Sequence, residues 1–183
     1  MYTLFVLGEL MDNPLTGYQL RDILSHVIGD RFTVSWGIIY PLLDKLEEAG
    51  DITLVNTQHD GGRQQNVAHL TDHGRDHFKA LMAKPITPGK NEEMLYLFKL
   101  DNLHHLTTPE AIDLLETFIA YKTAVRDSAQ TAKSAIQAAD MDDADKFTST
   151  ALGQYRLAQA QAAIDWAITV QRELSAGALT NLK

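Results

Sequence analysis

The 183-residue sequence predicts a mainly α-helical fold that contains one small β-hairpin. Apolar residues recur at helical spacing in three short segments before residue 50. A β-branched, alternating stretch then flanks a Gly-rich turn at 59–62. Beyond a segment with two prolines and a glycine at 84–91, long helical patterns cover most of the chain. These observations indicate a small mixed domain followed by a helical domain.

The first two helices are predicted at 2–11 and at about 17–28. Leu4, Leu7 and Leu10 are spaced along one face of the first, and Asn13-Pro14 interrupts its pattern. The second helix places four apolar residues on one face: Leu20, Ile23, Leu24 and Val27.

The third helix is predicted from Ser35 to Gly50. Its apolar stripe consists of Ile39, Leu42, Leu43 and Leu46. Ser35 is a suitable N-cap, because its hydroxyl can accept a hydrogen bond from a free amide of the first turn, and Gly50 lies where a helix commonly ends. Pro41 costs one backbone hydrogen bond, which is tolerable only near a helix start.

A β-hairpin and a fourth helix follow. Residues 52–58 and 63–70 are predicted as its two strands, and Thr71 is predicted to cap a helix from Asp72 to about Met82. Three short helices, a hairpin and a closing helix are the elements of a winged helix-turn-helix. In that fold the third helix enters the major groove of DNA, which makes double-stranded DNA the expected partner.

The spacing of several motifs resembles the PadR family of bacterial transcriptional regulators. These motifs are Gly17-Tyr18-Gln19-Leu20, Ser35-Trp36-Gly37, Tyr40-Pro41-Leu42-Leu43, Leu46-Glu47, Gly50, and Leu70-Thr71 with Gly74. Residues 92–98 and 107–111 are similar to the longer PadR subfamily, in which a helical C-terminal domain forms the dimer. The resemblance implies a homodimeric repressor that binds a pseudo-palindromic operator and is relieved by a small molecule such as a phenolic acid.

We expect eight residues to contact DNA: Tyr18, Ser35, Trp36, Ile38, Tyr40, Lys45, Arg63 and Gln64. Lys45 and Arg63 are the candidates for phosphate contacts. For Tyr18, Ser35, Trp36 and Tyr40, local packing and capping are the alternative. Ile38 stands where many relatives carry a hydroxyl or amide; it can contact a thymine methyl but cannot hydrogen-bond a base edge. The wing also departs from many relatives, because Arg63 is its single cation.

The charge of the chain opposes non-specific binding to DNA. The net charge is −8, and residues 1–83 carry six Lys or Arg against eleven Asp or Glu, a net −5. DNA affinity depends on neutralised phosphates, so one such domain should bind weakly and two linked domains should bind much more tightly. The acidic balance also leaves an alternative, in which the winged helix is an interaction module that binds another protein and not DNA.

The predicted domains are 1–83 for DNA binding, 84–91 as linker, and 92–183 for dimerisation and effector binding. Thr108 as N-cap and Pro109 begin one long helix, and a last helix runs from about 144 to 174. The last helix carries apolar residues on one side, Leu152, Tyr155, Ala162, Trp166 and Val170, with Leu157, Ile164 and Ile168 elsewhere around it. Because one intramolecular partner cannot cover so wide a surface, we expect this helix also to contact a second copy of the chain.

Aromatic residues of the helical domain are candidates for an effector site. Phe118, Tyr121, Tyr155 and Trp166 could line a pocket at the dimer interface for a planar ligand. The alternative is that they form the dimer core.

Other functional classes find less support. His73 and His77 are four apart on a predicted helix, with His69, Asp72 and Asp76 nearby, but a third fixed ligand is missing, so no metal or cofactor is predicted. The sequence has no cysteine, nucleophile elbow or phosphate-binding glycine loop, so we expect no enzyme. Without a signal segment or a membrane-length apolar run, a cytoplasmic location is expected.

Overall fold

A computed structural model describes residues 1–28, 36–58 and 64–177 of the chain. It divides into two compact units, Met1–Asn102 and Leu103–Lys183. The described residues are mainly helical and include one small antiparallel sheet, so the predicted fold class is confirmed.

The first unit contains the predicted helices and hairpin. In chain order its elements are α1 (Tyr2–Asp12), β1 (Leu15–Thr16), α2 (Gly17–Ile28), α3 (Trp36–Glu48), β2 (Ile52–Gln58), β3 (Gln64–Leu70), α4 (Asp72–Ala83) and α5 (Glu92–Asp101). The helix α3 occupies the position of the predicted recognition helix. Its predicted cap, Ser35, lies outside the described residues.

The sheet has three strands in the order β1-β3-β2. Strands β2 and β3 form the predicted hairpin, with Ile52 opposite Leu70 and Val55 opposite Val67. Strand β1 was not predicted, because two residues are too few to show an alternating pattern. Leu15 nevertheless pairs with Ala68, so the segment that breaks the helical pattern after α1 covers the free edge of β3.

The core of the first unit surrounds α1. Phe5, Val6 and Leu7 are fully buried, and α1 contributes six buried residues in eleven. The α3 stripe packs inward as predicted, with Ile39, Leu43 and Leu46 buried and Leu42 half-buried. This burial fixes which side of α3 remains in contact with solvent.

The ends of α3 and α4 follow the sequence signals. Gly50 has φ +77°, a left-handed conformation that favours glycine, immediately after α3. Thr71 caps α4, since its hydroxyl oxygen accepts a hydrogen bond from Gly74 N at 3.0 Å.

Helix α5 belongs to the first unit, whereas the sequence analysis grouped residues from 92 onward with the C-terminal domain. The fully buried Phe98 ring packs 5.4 Å from the Phe5 ring, centroid to centroid. The buried ammonium of Lys99 donates to the carbonyls of Met82 and Lys84 at 2.6 Å each, so it caps the end of α4, and this burial lowers the pKa of Lys99. The structural boundary therefore follows Asn102 and not segment 84–91.

The second unit is an antiparallel pair of long helices. A 3-10 turn (Leu103–His105) precedes α6 (Thr108–Ala138) and α7 (Asp143–Ser175). Gln171 donates to Glu116 and Arg126 donates to Gln161, both at 3.3 Å, so the later part of α7 lies beside the earlier part of α6. No helix in 1–28, 36–58 or 64–177 combines the length and apolar character needed to cross a membrane.

The start of α6 differs by one residue from the prediction. The N-cap is Thr107, not Thr108, because the Glu110 carboxylate accepts hydrogen bonds from both Thr107 N at 2.8 Å and Thr107 Oγ1 at 2.7 Å. Thr107 and Glu110 have the spacing of a capping box, and these hydrogen bonds lower the pKa of Glu110.

Candidate nucleic-acid interface

The start of α2 is fixed by a second capping box. Thr16 Oγ1 accepts a hydrogen bond from Gln19 N at 3.2 Å, and Gln19 Oε1 accepts one from Thr16 N at 2.9 Å. This reciprocal pairing satisfies an otherwise free amide at the helix start and orients the first turn, which contains Tyr18. The sequence analysis missed the pair, although its Thr-x-x-Gln spacing was a usable signal.

Tyr18 and Tyr40 lie at the crossing of α2 and α3. A Cβ atom on Gly17 would lie 3.0 Å from Tyr40 Cε1 and 3.3 Å from Leu43 Cδ1, so α3 rests directly on the first residue of α2. Tyr18, the next residue, is 55% exposed, and Tyr40 is 49% exposed. Both side chains are therefore about half exposed at this crossing.

Arg21 adds a cation to this surface that the sequence analysis did not select. Its guanidinium carbon lies 5.4 Å from the centre of the Tyr18 ring, within the range of a cation–π interaction. Tyr18 and Arg21 are three residues apart on α2, a spacing that places side chains next to each other. That spacing was a signal for pairing the two.

The other predicted contacts are only partly within the described residues. Lys45 is exposed on α3, whereas Ile38 is half-buried and so presents only part of its side chain. Ser35, Arg63 and the side chains of Trp36 and Gln64 lie outside what the structure describes.

The exposed part of α3 also carries acidic groups. Asp44, Glu47 and Glu48 are exposed beside Lys45. Glu47 has a structural partner, because its Oε1 accepts a hydrogen bond from Leu54 N in β2 at 2.9 Å. This bond joins the last turn of α3 to the first part of the hairpin.

The described part of the hairpin is polar and amide-rich. Asn56 Nδ2 donates to Asn66 Oδ1 across the strands at 3.2 Å, and Thr57 Oγ1 donates to Gln65 O at 3.3 Å. Val55 is 44% exposed next to them. Amides can donate to phosphates and to bases without adding charge.

A buried carboxylate lies where α3, β2 and α4 meet. Asp51 is 1% exposed; its Oδ2 lies 2.8 Å from His77 Nδ1, and its Oδ1 lies 3.6 Å from His73 Nε2. Its backbone carbonyl accepts hydrogen bonds from both the N–H and the hydroxyl of Thr71, at 3.0 Å each. A side chain on Gly74 would collide with that carbonyl.

The spacing of the two histidines is visible in the sequence, whereas their closeness to Asp51 is not. The aspartate precedes His77 by 26 residues, so only the tertiary structure brings them together.

Three of the four predicted effector-site aromatics cluster in the second unit. The Phe118 and Trp166 rings meet edge to face at 6.1 Å, and Tyr121 lies 6.4 Å from Phe118, centroid to centroid. Lys122 Nζ lies 5.1 Å from the Tyr121 ring centre and was not selected from the sequence. Tyr155 is not part of this cluster, since it lies eleven positions before Trp166 on α7, about 16 Å along the helix axis.

A depression of about 130 Å³ lies elsewhere in the second unit, between α6 and α7. Its lining includes Ala129, Lys133, Ile136, Ser149, Leu152 and Arg156. Sites for drug-sized ligands enclose roughly 300–1,000 Å³, so this depression alone is too small for such a ligand.

Comparison with known proteins identifies the family. Residues 6–80 match the model of the transcriptional regulator PadR-like family. A candidate transcriptional regulator of Thermoplasma acidophilum, TA0346, is 31% identical over 43% of this chain and 73% of that protein, with a TM-score of 0.40. The chain belongs to the PadR-like family of transcriptional regulators.

Other solved PadR-like and related structures are more distant in sequence. Bacillus subtilis PadR, solved in complex with operator DNA, is 22% identical, with 94% of this chain and 98% of that chain covered and a TM-score of 0.45. The Vibrio cholerae virulence activator AphA is also 22% identical, with 96% and 99% covered and a TM-score of 0.41. A search of curated proteins finds no match.

Proposed function

We propose that this PadR-like protein is a homodimeric DNA-binding repressor that a small aromatic effector releases from its operator. The observation that carries the proposal is the exposed pair Tyr18 and Tyr40 at the crossing of α2 and α3. In a winged helix-turn-helix this crossing faces the DNA backbone and the major groove. A regulator of this kind acts where the DNA is, and we therefore propose a cytoplasmic location.

Each residue of the proposed interface contacts a different part of the DNA. The phenol hydroxyls of Tyr18 and Tyr40 hydrogen-bond phosphate or base edges, and Lys45 neutralises a phosphate. The exposed part of Ile38 contacts a thymine methyl group. Ser35, Trp36, Arg63 and Gln64 remain predicted contacts at the start of α3 and in the wing.

Dimerisation supplies the affinity that one domain lacks. The net −5 of residues 1–83 keeps the number of neutralised phosphates small, so a single domain binds weakly. Two domains on a pseudo-palindromic operator convert the second half-site into an intramolecular contact.

The outer side of α7 is the proposed dimer surface. Leu152, Tyr155 and Trp166 are 50, 59 and 46% exposed, and Ala162 is exposed on the same side. The side that includes Ala160, Ile164 and Ala167 is buried instead. The exposed part of these apolar side chains is not covered within the pair of helices, and we assign a second copy of the chain to it.

The aromatic cluster is the proposed effector site. Phe118, Tyr121 and Trp166 offer ring faces and edges to a planar ligand, and the Lys122 ammonium suits a carboxylate on it. An effector that prefers the conformation with low operator affinity shifts the population toward release.

The DNA interface is tested with the double variant Tyr40→Ala and Lys45→Ala on DNA upstream of the protein's own gene. The proposal predicts loss of specific retardation with an unchanged dimer mass by light scattering. The matched control is Lys146→Ala, an exchange of a lysine on α7. Unchanged DNA binding in the double variant would overturn the site assignment.

The effector site is tested with a panel of phenolic and other aromatic acids. Operator affinity should fall with at least one of them, and Tyr121→Ala should weaken that response without altering operator affinity in the absence of ligand. If every saturating ligand leaves operator affinity unchanged, the effector proposal fails while the DNA proposal stands.

The acidic surface supports one competing function. Asp44, Glu47 and Glu48 on α3 favour a basic protein partner over DNA. Under this alternative, the chain retards no promoter fragment at low salt and forms a stable complex with another regulator. Specific retardation of the promoter would exclude it.

A further inference from the structure

We propose that Asp51, His73 and His77 bind a divalent transition-metal ion, with Zn²⁺ as the chemical type. The three residues come from two elements of the first unit: Asp51 directly precedes β2, and both histidines lie on α4. Two imidazoles and a carboxylate are a ligand set that such ions favour. The site is separate from the Tyr18–Tyr40 surface and does not depend on DNA binding.

The carboxylate–imidazole separations are close to those of a metal site, whereas the three donor atoms do not all lie within 4.8 Å of one another in the structure. In a tetrahedral zinc site with bonds of about 2.0–2.1 Å, neighbouring ligand atoms are about 3.3 Å apart. His77 Nδ1 lies 2.8 Å from Asp51 Oδ2, and His73 Nε2 lies 3.6 Å from Asp51 Oδ1. Both separations therefore lie within about half an ångström of those in a metal site.

The Asp51 carboxylate supplies an independent reason to expect a cation. Its Oδ1 is buried and accepts no hydrogen bond, while its Oδ2 is paired with His77. A buried carboxylate oxygen without a donor is costly, and a metal ion removes that cost directly. The oxygen faces His73, so an ion bound there would be shared by both residues.

Only one ligand has to move for the ion to bind. In the structure each imidazole approaches its own carboxylate oxygen. The His73 side chain is 69% exposed, so its ring is free to turn toward His77, which is one helical turn further along α4. Asp51 is held by its backbone bonds to Thr71 and provides the fixed point.

The ion would connect the segment between α3 and β2 with helix α4. Asp51 follows the turn after α3 and directly precedes β2, so a metal bond from it to α4 would stabilise the junction between recognition helix and wing. Ligands that bind only the folded state raise its unfolding temperature. Zn²⁺ should therefore raise the melting temperature of the full chain by several degrees, and a chelator should reverse the rise.

The experiment measures binding of Zn²⁺ to the full chain by titration calorimetry, and of Co²⁺ by absorption. The proposal predicts one ion for each chain and visible absorption bands typical of tetrahedral Co²⁺. His73→Ala and His77→Ala should each weaken binding at least tenfold. The matched control, His26→Ala on the exposed side of α2, should bind as the wild type does.

The outcomes separate clearly. Because His73 is largely exposed, the His73→Ala variant should fold normally, which its circular dichroism will confirm, so loss of binding in it supports the site. Undiminished binding in His73→Ala, or no stoichiometric binding by the wild type, overturns the proposal. Asp51→Asn is a further test of the site. The amide can keep a hydrogen bond to His77 but offers no negative charge, so this variant should also fail to bind the ion.

Discussion

Glu47 Oε1 accepts a hydrogen bond from Leu54 N at 2.9 Å, which ties the last turn of α3 to β2. The same carboxylate brings a negative charge to the exposed part of the proposed recognition helix. The bond and the charge have opposite consequences for DNA binding, because the first orients the wing and the second repels phosphates.

Two variants of Glu47 separate these effects. Glu47→Gln keeps an acceptor for Leu54 N and removes the charge, so operator affinity should rise. Glu47→Ala removes both, and should bind roughly fivefold more weakly than Glu47→Gln, as expected for one hydrogen bond of about 1 kcal/mol. Fluorescence anisotropy with labelled operator gives both affinities. Equal affinity of the two variants would show that the bond does not position the wing.

Gly17→Ala should impair DNA binding more than stability. The added Cβ would lie 3.0 Å from Tyr40 Cε1, so the Tyr40 ring must shift away from its place at the helix crossing. We expect a severalfold loss of operator affinity, with a melting temperature within a few degrees of the wild type. Gly89→Ala is the control, since no atom lies within 4 Å of its added Cβ. Full affinity in Gly17→Ala would mean that the Tyr40 position is unimportant.

Glu9 should make stability depend on pH. Burial, reinforced by the neighbouring carboxylate of Asp101, raises the pKa of Glu9 to about 7 from 4.5. The folded state then keeps a proton that the unfolded state releases, so the free energy of unfolding falls as pH rises from about 4.5 to 7. After allowance for partial exposure, the loss should be on the order of 1–2 kcal/mol.

The variant Glu9→Gln tests this assignment. In this variant the free energy of unfolding should no longer decrease between about pH 4.5 and 7. The variant should also be more stable than the wild type at pH values above the pKa of Glu9. Urea denaturation at several pH values measures the difference. Glu116→Gln, on α6, is the control. Its free energy of unfolding should depend on pH with the same slope as in the wild type. A Glu9→Gln variant with that same slope would contradict the assignment.

The proposed dimer surface on α7 is tested by the double variant Leu152→Glu and Tyr155→Glu. Both side chains are at least half exposed, and because Leu152 also borders the depression between α6 and α7, circular dichroism checks that the helices are intact. Four carboxylates facing one another in a dimer are strongly unfavourable, and light scattering should report a monomer. Gln154→Glu, which lies between these residues in sequence but on another face of α7, should remain dimeric. A dimeric double variant would exclude this surface.

Local patterns were sufficient to predict most of the helices and the hairpin. The spacing of Ile39, Leu43 and Leu46, and the Thr71 cap, depend on residues close in sequence, and the structure agrees with each. The one-residue difference at Thr107 arose because the reach of the Glu110 side chain, not the position of Pro109, selects the cap.

Long-range contacts explain what the sequence analysis missed. The assignment of α5 to the first unit depends on Phe98 meeting Phe5 across more than 90 residues. The Asp51–His77 pair likewise joins two elements that have no shared periodicity. Of the proposed interface, Tyr18 and Tyr40 were selected from their motifs, whereas the close approach of Tyr40 to Gly17, the residue before Tyr18, depends on the fold.

The most direct test of the account is a gel-shift titration of the wild-type protein on DNA upstream of its own gene. A scrambled fragment of equal length serves as control, and each titration is repeated at two salt concentrations. A specific DNA-binding regulator should retard the upstream fragment alone, with affinity that decreases as salt increases. Equal retardation of both fragments, or none at low salt, would contradict a specific DNA-binding regulator.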